Sequence, residues 1–221
     1  MNILAIDSAT EACSAALLRA DGEVFGEFAV APRQHTRLLP QMMDRVLTAA
    51  GVSRPELTHC AFCNGPGAFT GIRIAAAQAQ GIGLGLGIPL VPVSTLATLA
   101  QTSLDAHACD STLVALDARM DEIYWAVYRR GVDGCAELDG EERLTSAAEL
   151  ERAPAVESGA GHGWLAGLRA GRDWPIDHEL LPDARALLRL ARRAIALNQT
   201  SSASQVRINY LRNRVAEKAR G

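Results

Sequence analysis

The chain has 221 residues, of which 48% are hydrophobic and 21% charged, and its formal net charge is −3. This is the composition of an ordinary globular protein with room for one large domain or two compact ones. No apolar run approaches the roughly 18 residues of a membrane-spanning helix, and residues 1–7 lack the basic segment of a signal peptide. We therefore expect a cytoplasmic protein without a membrane partner.

The first half of the chain predicts a strand-rich start followed by alternating helices and strands. Short apolar runs around a turn at Asp21 and Gly22 favour strands, and a helical periodicity that ends at Gly51 favours a helix. Ser94 is a typical N-cap for a further helix. The predicted elements are strands 3–7, 13–18, 24–30, 58–64 and 90–93 and helices 36–50 and 72–85.

The second half repeats this order in a shorter form. Its predicted elements are strands 113–116, 123–128, 136–144 and 155–157 and helices 147–152 and 183–197. Each half therefore predicts a β-β-β-α-β-α order, with a boundary near residue 105. This pattern resembles the two-lobed actin-like ATPase architecture, an α/β fold in which each lobe, here 1–105 and 106–221, is a mixed sheet with helices.

The glycine-rich stretch 65–73 is the strongest local motif. Gly65, Gly67 and Gly71 predict a sharp turn between a strand and a helix, where free N–H groups and the helix dipole favour an anion. The stretch is not a P-loop, because no Lys-Ser or Lys-Thr pair follows, and its spacing does not match a dinucleotide fingerprint. A phosphate site that includes Thr70 and a purely structural turn both fit.

Two further candidate sites lie near the start of the chain. Asp7 and Ser8 end the first predicted strand and suit magnesium and phosphate, but an aspartate at a strand end equally serves to cap a turn. Both interpretations stay open. His35 precedes Leu39 by four residues, where a metal-binding pair needs a second histidine, so we predict no metal site and no catalytic residue set.

The five cysteines are an odd number and form no disulfide framework. Cys60 and Cys63 have the spacing of a redox pair. They fall in a predicted strand, however, where residues three apart point to opposite faces. We interpret them as buried structural thiols.

Basic residues are concentrated at the end of the chain. They predict either a surface for RNA or an acidic partner, or the solvated face of an amphipathic helix. We favour the helix face for the four arginines between residues 185 and 193. Whether the segment 205–221 contacts RNA stays open. The basic residues in question are Arg185, Arg189, Arg192, Arg193, Arg207, Arg212, Arg214, Lys218 and Arg220.

Five segments of the chain together carry a family resemblance. They are ILAIDS at 3–8, HTRLLP at 35–40, GPGAFTGIR at 65–73, DARMDEIY at 117–124 and YLR at 210–212. In this order, and spread over nearly the whole chain, they closely resemble the bacterial TsaB (YeaZ) family. The nine-residue glycine motif is highly specific to that family.

The resemblance implies a function in making threonylcarbamoyladenosine in tRNAs that read codons beginning with A. A paralogue, TsaD, carries the histidine pair and transfers the threonylcarbamoyl group, with a small ATPase, TsaE. A TsaB-like chain is implied to be their non-catalytic partner, requiring no cofactor of its own. ATP or ADP at a lobe or subunit interface stays open, with Asp7, Ser8, Gly65, Gly67, Thr70 and Gly71 as the candidate residues.

The resemblance also implies a partner surface on helices 36–50 and 72–85, used by the paralogue or by a second copy in a homodimer. Small residues on helix 72–85 allow another helix to approach closely, and methionine suits a surface that repacks against different partners. Packing of both helices on the chain's own sheet is the alternative. The candidate interface residues are Leu38, Met42, Val46, Ile74, Ala75, Gln78 and Ala79.

Two other functions compete with this one. An active ATP-dependent transferase or kinase of the actin-like fold would use Asp7 and the glycine stretch as its phosphate site. A glycoprotease-like metallopeptidase would need the second histidine that position 39 lacks. ATP turnover and the metal content of the purified chain distinguish these alternatives.

Overall fold

The computed structural model describes residues 1–150, 152–164 and 172–212. It contains two five-stranded sheets, and the first has the order β3-β2-β1-β4-β5. The first three strands are antiparallel neighbours, whereas β4 is parallel to β1 and β5 is parallel to β4. The strands are β1 (Ile3–Asp7), β2 (Ala12–Leu18), β3 (Val24–Val30), β4 (His59–Cys63) and β5 (Leu90–Val93).

The second sheet repeats the topology of the first, with the order β8-β7-β6-β9-β10. Strands β6 to β8 are antiparallel neighbours, and β9 and β10 extend the sheet in parallel from β6. Its strands are β6 (Ser111–Arg119), β7 (Glu122–Arg130), β8 (Ala136–Ser146), β9 (Ser158–Ala160) and β10 (Ile176–Asp177). The duplication confirms the predicted two-lobed, actin-like α/β architecture.

Five α-helices lie within the described ranges. They are α1 (His35–Ala50), α2 (Phe69–Leu86), α3 (Thr95–His107), α4 (Ala147–Leu150) and α5 (Ala184–Ala196). Short 3₁₀ turns occur at Arg54–Glu56 and Ala203–Gln205. No helix in this part of the chain is long and apolar enough to cross a membrane.

The first sheet is covered on both faces. Helices α1 and α2 pack against one face around Leu39 and Phe62, and α5 packs against the other through Leu187. Helix α3, which precedes the second sheet in sequence, packs on that second sheet through Leu99. Helices α3 and α5 also contact each other, so they form a shared middle layer between the sheets.

Because α3 and α5 each pack on the sheet of the other lobe, the predicted lobe boundary near residue 105 does not separate two independent units. Helix α3 (Thr95–His107) contains the predicted boundary in its last turn and covers the second sheet, whereas α5 comes after the boundary and covers the first. The segments 1–105 and 106–221 therefore share their middle layer and are not two separately closed bodies.

Two local predictions were wrong, and one short strand was not predicted. Helix α2 begins at Phe69 rather than at residue 72, because Gly71 is accommodated inside the helix where it touches the β1–β2 turn. The strand predicted at 155–157 instead spans Ser158–Ala160, where Gly159 fits beneath the Trp174 ring. The two-residue strand β10 was missed because it is too short to show periodicity.

Candidate functional site

Asp7 lies at the carboxyl end of β1 and is completely buried. Its Oδ1 accepts a hydrogen bond from the Ala9 N–H at 2.9 Å, whereas Oδ2 has no hydrogen-bond partner within the described residues. Burial raises the pKa of this carboxyl to about 6, against the opposing effect of the Ala9 hydrogen bond. Asp7 therefore caps the β1–β2 turn from inside the protein.

The unpaired oxygen of Asp7 belongs to a buried polar cluster. Cys63, at the end of β4, interacts with both Asp7 and Thr95, and its Sγ donates to Thr98 Oγ1 at 3.3 Å. Burial raises the pKa of the Cys63 thiol well above its usual range, so the sulfur stays protonated. Apart from this interaction with Cys63, neither the Thr95 hydroxyl nor Asp7 Oδ2 forms a hydrogen bond with any of the residues described.

The glycine stretch packs on the chain's own backbone. Ser8 is completely buried and donates from Oγ to the Gly71 carbonyl at 2.8 Å. A Cβ on Gly71 would lie 1.9 Å from the Ser8 carbonyl oxygen, and one on Gly67 would lie 2.4 Å from that of Ala9. These glycines let the β4–α2 loop cross the β1–β2 turn at backbone contact.

The structure thus brings most of the predicted phosphate residues together, but it places them below the surface. Asp7, Ser8, Gly65 and Gly71 are buried and Gly67 is half-buried. Thr70 alone among the six candidates is exposed, in the first turn of α2.

The space above the glycine stretch is crossed by residues 201–212, which we call the strap. The Asn209 N–H donates to the Asn64 carbonyl at 2.8 Å, and a Cβ on Gly65 would lie 2.7 Å from the Asn209 carbonyl oxygen. The Asn209 side chain reaches the other lobe, where Nδ2 donates to Glu142 Oε2 at 2.9 Å. The strap therefore joins the two lobes directly over the β4–α2 loop.

Two carboxylates of the second lobe hold the strap in place. Glu142 on β8 also accepts hydrogen bonds from the hydroxyls of Ser94 and Tyr128. Burial raises the pKa of the Tyr128 phenol well above its usual range, so this hydroxyl remains a donor. Arg212 pairs with Glu122 on β7. The sequence motif that includes Arg212 gave no indication of this contact.

A second connection between the lobes runs through His162, in the loop after β9. Its Nδ1 accepts a hydrogen bond from the Asp117 N–H at 3.1 Å, and its Nε2 lies 3.3 Å from the Glu11 carboxylate. With Nδ1 acting as an acceptor, the proton is on Nε2 and faces Glu11. The sequence does not reveal this link, because Glu11, Asp117 and His162 are far apart in the chain and match no motif.

His35 also has a structural role. It is buried at the start of α1, and its Nε2 donates to the Ala12 carbonyl at 3.1 Å, while Leu39 is fully buried in the core. Within the described ranges, no group of three or more His, Cys, Asp or Glu side chains has an arrangement that suits a metal ion.

The predicted partner residues divide into two groups. Met42, Val46, Ala75 and Ala79 are buried in the core between the helices and the first sheet. Leu38, Ile74 and Gln78 are partly exposed. Met42 and Val46 therefore do not form the predicted second apolar edge, because both side chains are buried in the core that α1 shares with the first sheet.

Two structural interpretations were confirmed. Cys60 and Cys63 are buried in different core clusters, on opposite faces of β4, and burial raises the pKa of Cys60 to about 12. Helix α5 buries Leu187 and Leu188 and keeps its arginines outward, three of them in ion pairs with nearby carboxylates. Of the more distal basic residues, Arg214, Lys218 and Arg220 lie outside the described residues.

The chain is similar to several known proteins over nearly its full length. A family model described as "TsaD: tRNA N6-adenosine threonylcarbamoyltransferase" matches residues 29–216. The "tRNA threonylcarbamoyladenosine biosynthesis protein TsaB" of Escherichia coli (strain K12) is 40% identical, with 99% of this chain and 97% of that protein covered. The Haemophilus influenzae protein of the same name is 32% identical, with 99% and 96% covered.

A solved structure agrees with these matches. "YeaZ from Pseudomonas aeruginosa" superposes with a TM-score of 0.89 at 38% identity and covers 95% of this chain and 99% of that one. The duplicated sheets and the family model define the class, an actin-like protein of the TsaD threonylcarbamoyltransferase family. Within that class, the full-length relatives show that the chain belongs to the TsaB (YeaZ) family, which confirms the resemblance seen in the sequence.

Proposed function

We propose that this chain takes part in the formation of threonylcarbamoyladenosine in tRNA as a non-catalytic subunit. In this proposal it supports a TsaD-type transferase and acts together with a TsaE-type ATPase. The names of its full-length relatives support the pathway. The non-catalytic role is supported by the way the chain fills its own interlobe space.

The observation that carries the proposal is the strap. Asn209 binds the Asn64 carbonyl on one lobe and Glu142 on the other, directly above the glycine stretch. Asp7, the carboxylate that an actin-like ATPase would offer to a phosphate, is buried beneath it with a raised pKa. Substrate chemistry at this position would require the strap, Ser8 and the glycine contacts to separate first.

Nucleotide binding can be tested on the isolated chain. Because the strap covers the lobe interface, we expect ATP or ADP at millimolar concentration to leave the melting temperature unshifted. A shift would contradict this expectation. If the shift also disappeared in Asp7→Ala, the competing ATP-dependent transferase or kinase function would be favoured.

The partner surface that we propose lies on α1 and α2. Leu38, Ile74 and Gln78 are its accessible members, and Leu84 extends it as an apolar side chain that is 72% exposed. Exposed small residues on α2, such as Gly81, permit the close approach of another helix. A TsaD-type paralogue is the proposed occupant in the assembled complex, and a second copy of the chain is the proposed occupant when it is free.

The function is tested by reconstitution. Labelled threonine is followed into unmodified tRNA by the purified modification enzymes of the same cell, with and without this chain. Incorporation that depends on the chain supports the proposal. Full incorporation without the chain would overturn it.

The surface is tested by changing residues that the fold leaves accessible. Ile74→Glu and Gln78→Arg are expected to weaken binding of the paralogue in calorimetry, because each places a charge in an apolar contact. Leu138→Glu, at an exposed position on the edge strand β8 of the second sheet, is the matched control. Met42→Glu is unsuitable because it would put a charge into the core of the monomer. Unchanged binding by both test variants would exclude this face.

A further inference from the structure

Three side chains near the strap have no role in the core or in the polar network. Phe69 is 63% exposed at the first position of α2, and Tyr210 is 46% exposed on the strap. The guanidinium of Arg73 lies between them, 3.2 Å from the Phe69 ring centre and 5.3 Å from the Tyr210 ring centre. We call this row the aromatic ridge.

The positive charge of the ridge is not neutralised by a carboxylate. Arg73 donates to the Phe69 carbonyl at 3.0 Å and, within the described part of the chain, forms no ion pair with an acidic side chain. Arg212, by contrast, is paired with Glu122. Arg73 stacks on both rings, but its charge has no carboxylate partner and the rings stay exposed, so the ridge is suited to a ligand that offers flat rings and negative charge.

The start of α2 adds an anion-binding element beside the rings. Ala68 precedes the helix and offers no side-chain cap, so no side chain shields the N–H groups of the first turn. Thr70 is exposed in that turn. An eighteen-residue helix directs its positive dipole end to this point, next to Phe69.

We propose that the aromatic ridge is a stacking site for unpaired nucleotides of RNA, with a base on Phe69 or Tyr210 and the adjoining phosphate at Arg73 and the α2 N-terminus. Aromatic rings and arginine planes are the groups on which proteins stack bases from loops and single strands. The combination favours RNA over a protein partner, because each nucleotide brings a flat ring and a phosphate together, whereas an unmodified protein side chain carries no phosphate. The inference extends the proposed function by naming the part of tRNA that this chain contacts, a single-stranded loop.

The glycine motif also positions two residues of the aromatic ridge. Its glycines fix the β4–α2 loop on the β1–β2 turn, and they thereby hold Phe69 and Arg73 at the surface. The strap brings Tyr210 to the same place, since Asn209 is bound to both lobes. The ridge is therefore assembled from two distant parts of the chain, each positioned by backbone contacts.

The test measures binding of the full chain to a fluorescein-labelled RNA hairpin with a single-stranded loop, by anisotropy at low salt. Tyr210→Ala and Phe69→Ala are each expected to weaken binding about ten-fold, the effect of losing one stacked base. Arg73→Lys keeps the positive charge but lacks the planar guanidinium, so it is expected to weaken RNA binding less than Arg73→Ala does. A blunt duplex of the same stem should bind more weakly than the hairpin.

Phe28→Ala is the matched control, because Phe28 is a partly exposed phenylalanine on the edge strand β3, away from the ridge. It is expected to bind RNA like the unchanged chain. Each variant's melting temperature verifies its folding. Equal binding of hairpin and duplex would overturn the proposal. So would unchanged binding by both aromatic variants, even if those variants lost affinity for a protein partner.

The outcome is separable from that of the proposed function. If threonine incorporation does not need the chain but RNA binding falls in Tyr210→Ala, the proposed function fails and the ridge stands. If threonine incorporation needs the chain but the ridge variants bind RNA as well as the unchanged chain does, the stacking proposal fails and the proposed function stands.

Discussion

The two lobes share one topology, yet the first strand of each ends in a different environment. Asp7 at the end of β1 is completely buried, with one oxygen unpaired and a pKa raised to about 6. Asp117 near the end of β6 is partly exposed and pairs with Arg119 at 2.9 Å. Equivalent positions in a duplicated fold can therefore hold the same residue type in different surroundings, one buried and one paired at the surface.

What the lobes do share is the use of glycine. In the first lobe, Gly67 and Gly71 touch the backbone of the β1–β2 turn. In the second, a Cβ on Gly161 would lie 2.3 Å from the Ala115 carbonyl oxygen, and one on Gly163 would lie 2.7 Å from the backbone of β6. Glycine after the fourth strand of each sheet is thus required by the crossing of two chain segments, whether or not a ligand binds.

The largest expected effect on stability comes from disrupting the contact between the glycine stretch and the β1–β2 turn. Gly71→Ala places a Cβ 1.9 Å from a backbone oxygen that cannot move aside, so we expect a loss of about 3 kcal/mol or more in the free energy of unfolding. Gly163→Ala is expected to be destabilising for the same reason. Urea unfolding at neutral pH measures both.

Gly81→Ala is the control within the same helix. Nothing lies within 4 Å of the added Cβ, so the better helix propensity of alanine should raise stability by about 1 kcal/mol. Equal effects of the changes at Gly71 and Gly81 would contradict the crossing argument.

The next effect concerns Asp7. Its pKa rises from 3.8 to about 6 on folding, so between these values the folded chain holds a proton that the unfolded chain has lost. The free energy of unfolding therefore falls as pH rises through this window, by about 3 kcal/mol for a shift of roughly two units. Asp7→Asn removes this loss and should be more stable than the unchanged chain at pH 7, with the difference shrinking towards pH 4.

Unfolding curves collected at several pH values between 4 and 7 check this prediction. Asp117→Asn makes the same chemical change in the second lobe and should leave the pH-dependent loss in place, because Asp7 is untouched. Parallel profiles for Asp7→Asn and the unchanged chain would show that Asp7 does not titrate in this range.

The smallest effect is expected at the strap, where the lobes meet. Asn209→Ala removes the hydrogen bond to Glu142 and keeps the backbone bond to Asn64, so the cost should be about 1 kcal/mol. Hydrogen exchange of the Asn209 amide should accelerate more than global stability falls, because the strap opens locally. Ser204→Ala, an exposed change in the same segment, should leave that exchange rate unaltered.

Periodicity in the sequence predicted most of the elements and the fold class. The strands Ile3–Asp7, Val24–Val30 and Leu90–Val93 lie where the short apolar runs predicted them, and Ser94 caps α3 by accepting from two backbone N–H groups. These features depend on neighbours a few residues apart. Local signals of this kind can be read without knowing the tertiary structure.

The site was less predictable because its contacts join distant segments. The glycine stretch was recognised, but nothing local shows that residues 8, 9 and 209 would occupy the space around it. The links from His162 to Glu11 and from Asn209 to Glu142 likewise depend on how the lobes meet. Met42 was misjudged because an amphipathic pattern cannot show how far a sheet extends beneath a helix.

The exchange of helices across the middle layer has a consequence for synthesis. The face of the first sheet that carries Ile3, Ala5 and Val91 is covered by α5, which leaves the ribosome only after the second sheet has been made. Until then, a nascent chain presents that apolar face without its native cover, and the first lobe cannot complete its core alone. Early release or truncation before Ala184 is therefore expected to yield an aggregating product rather than a stable half.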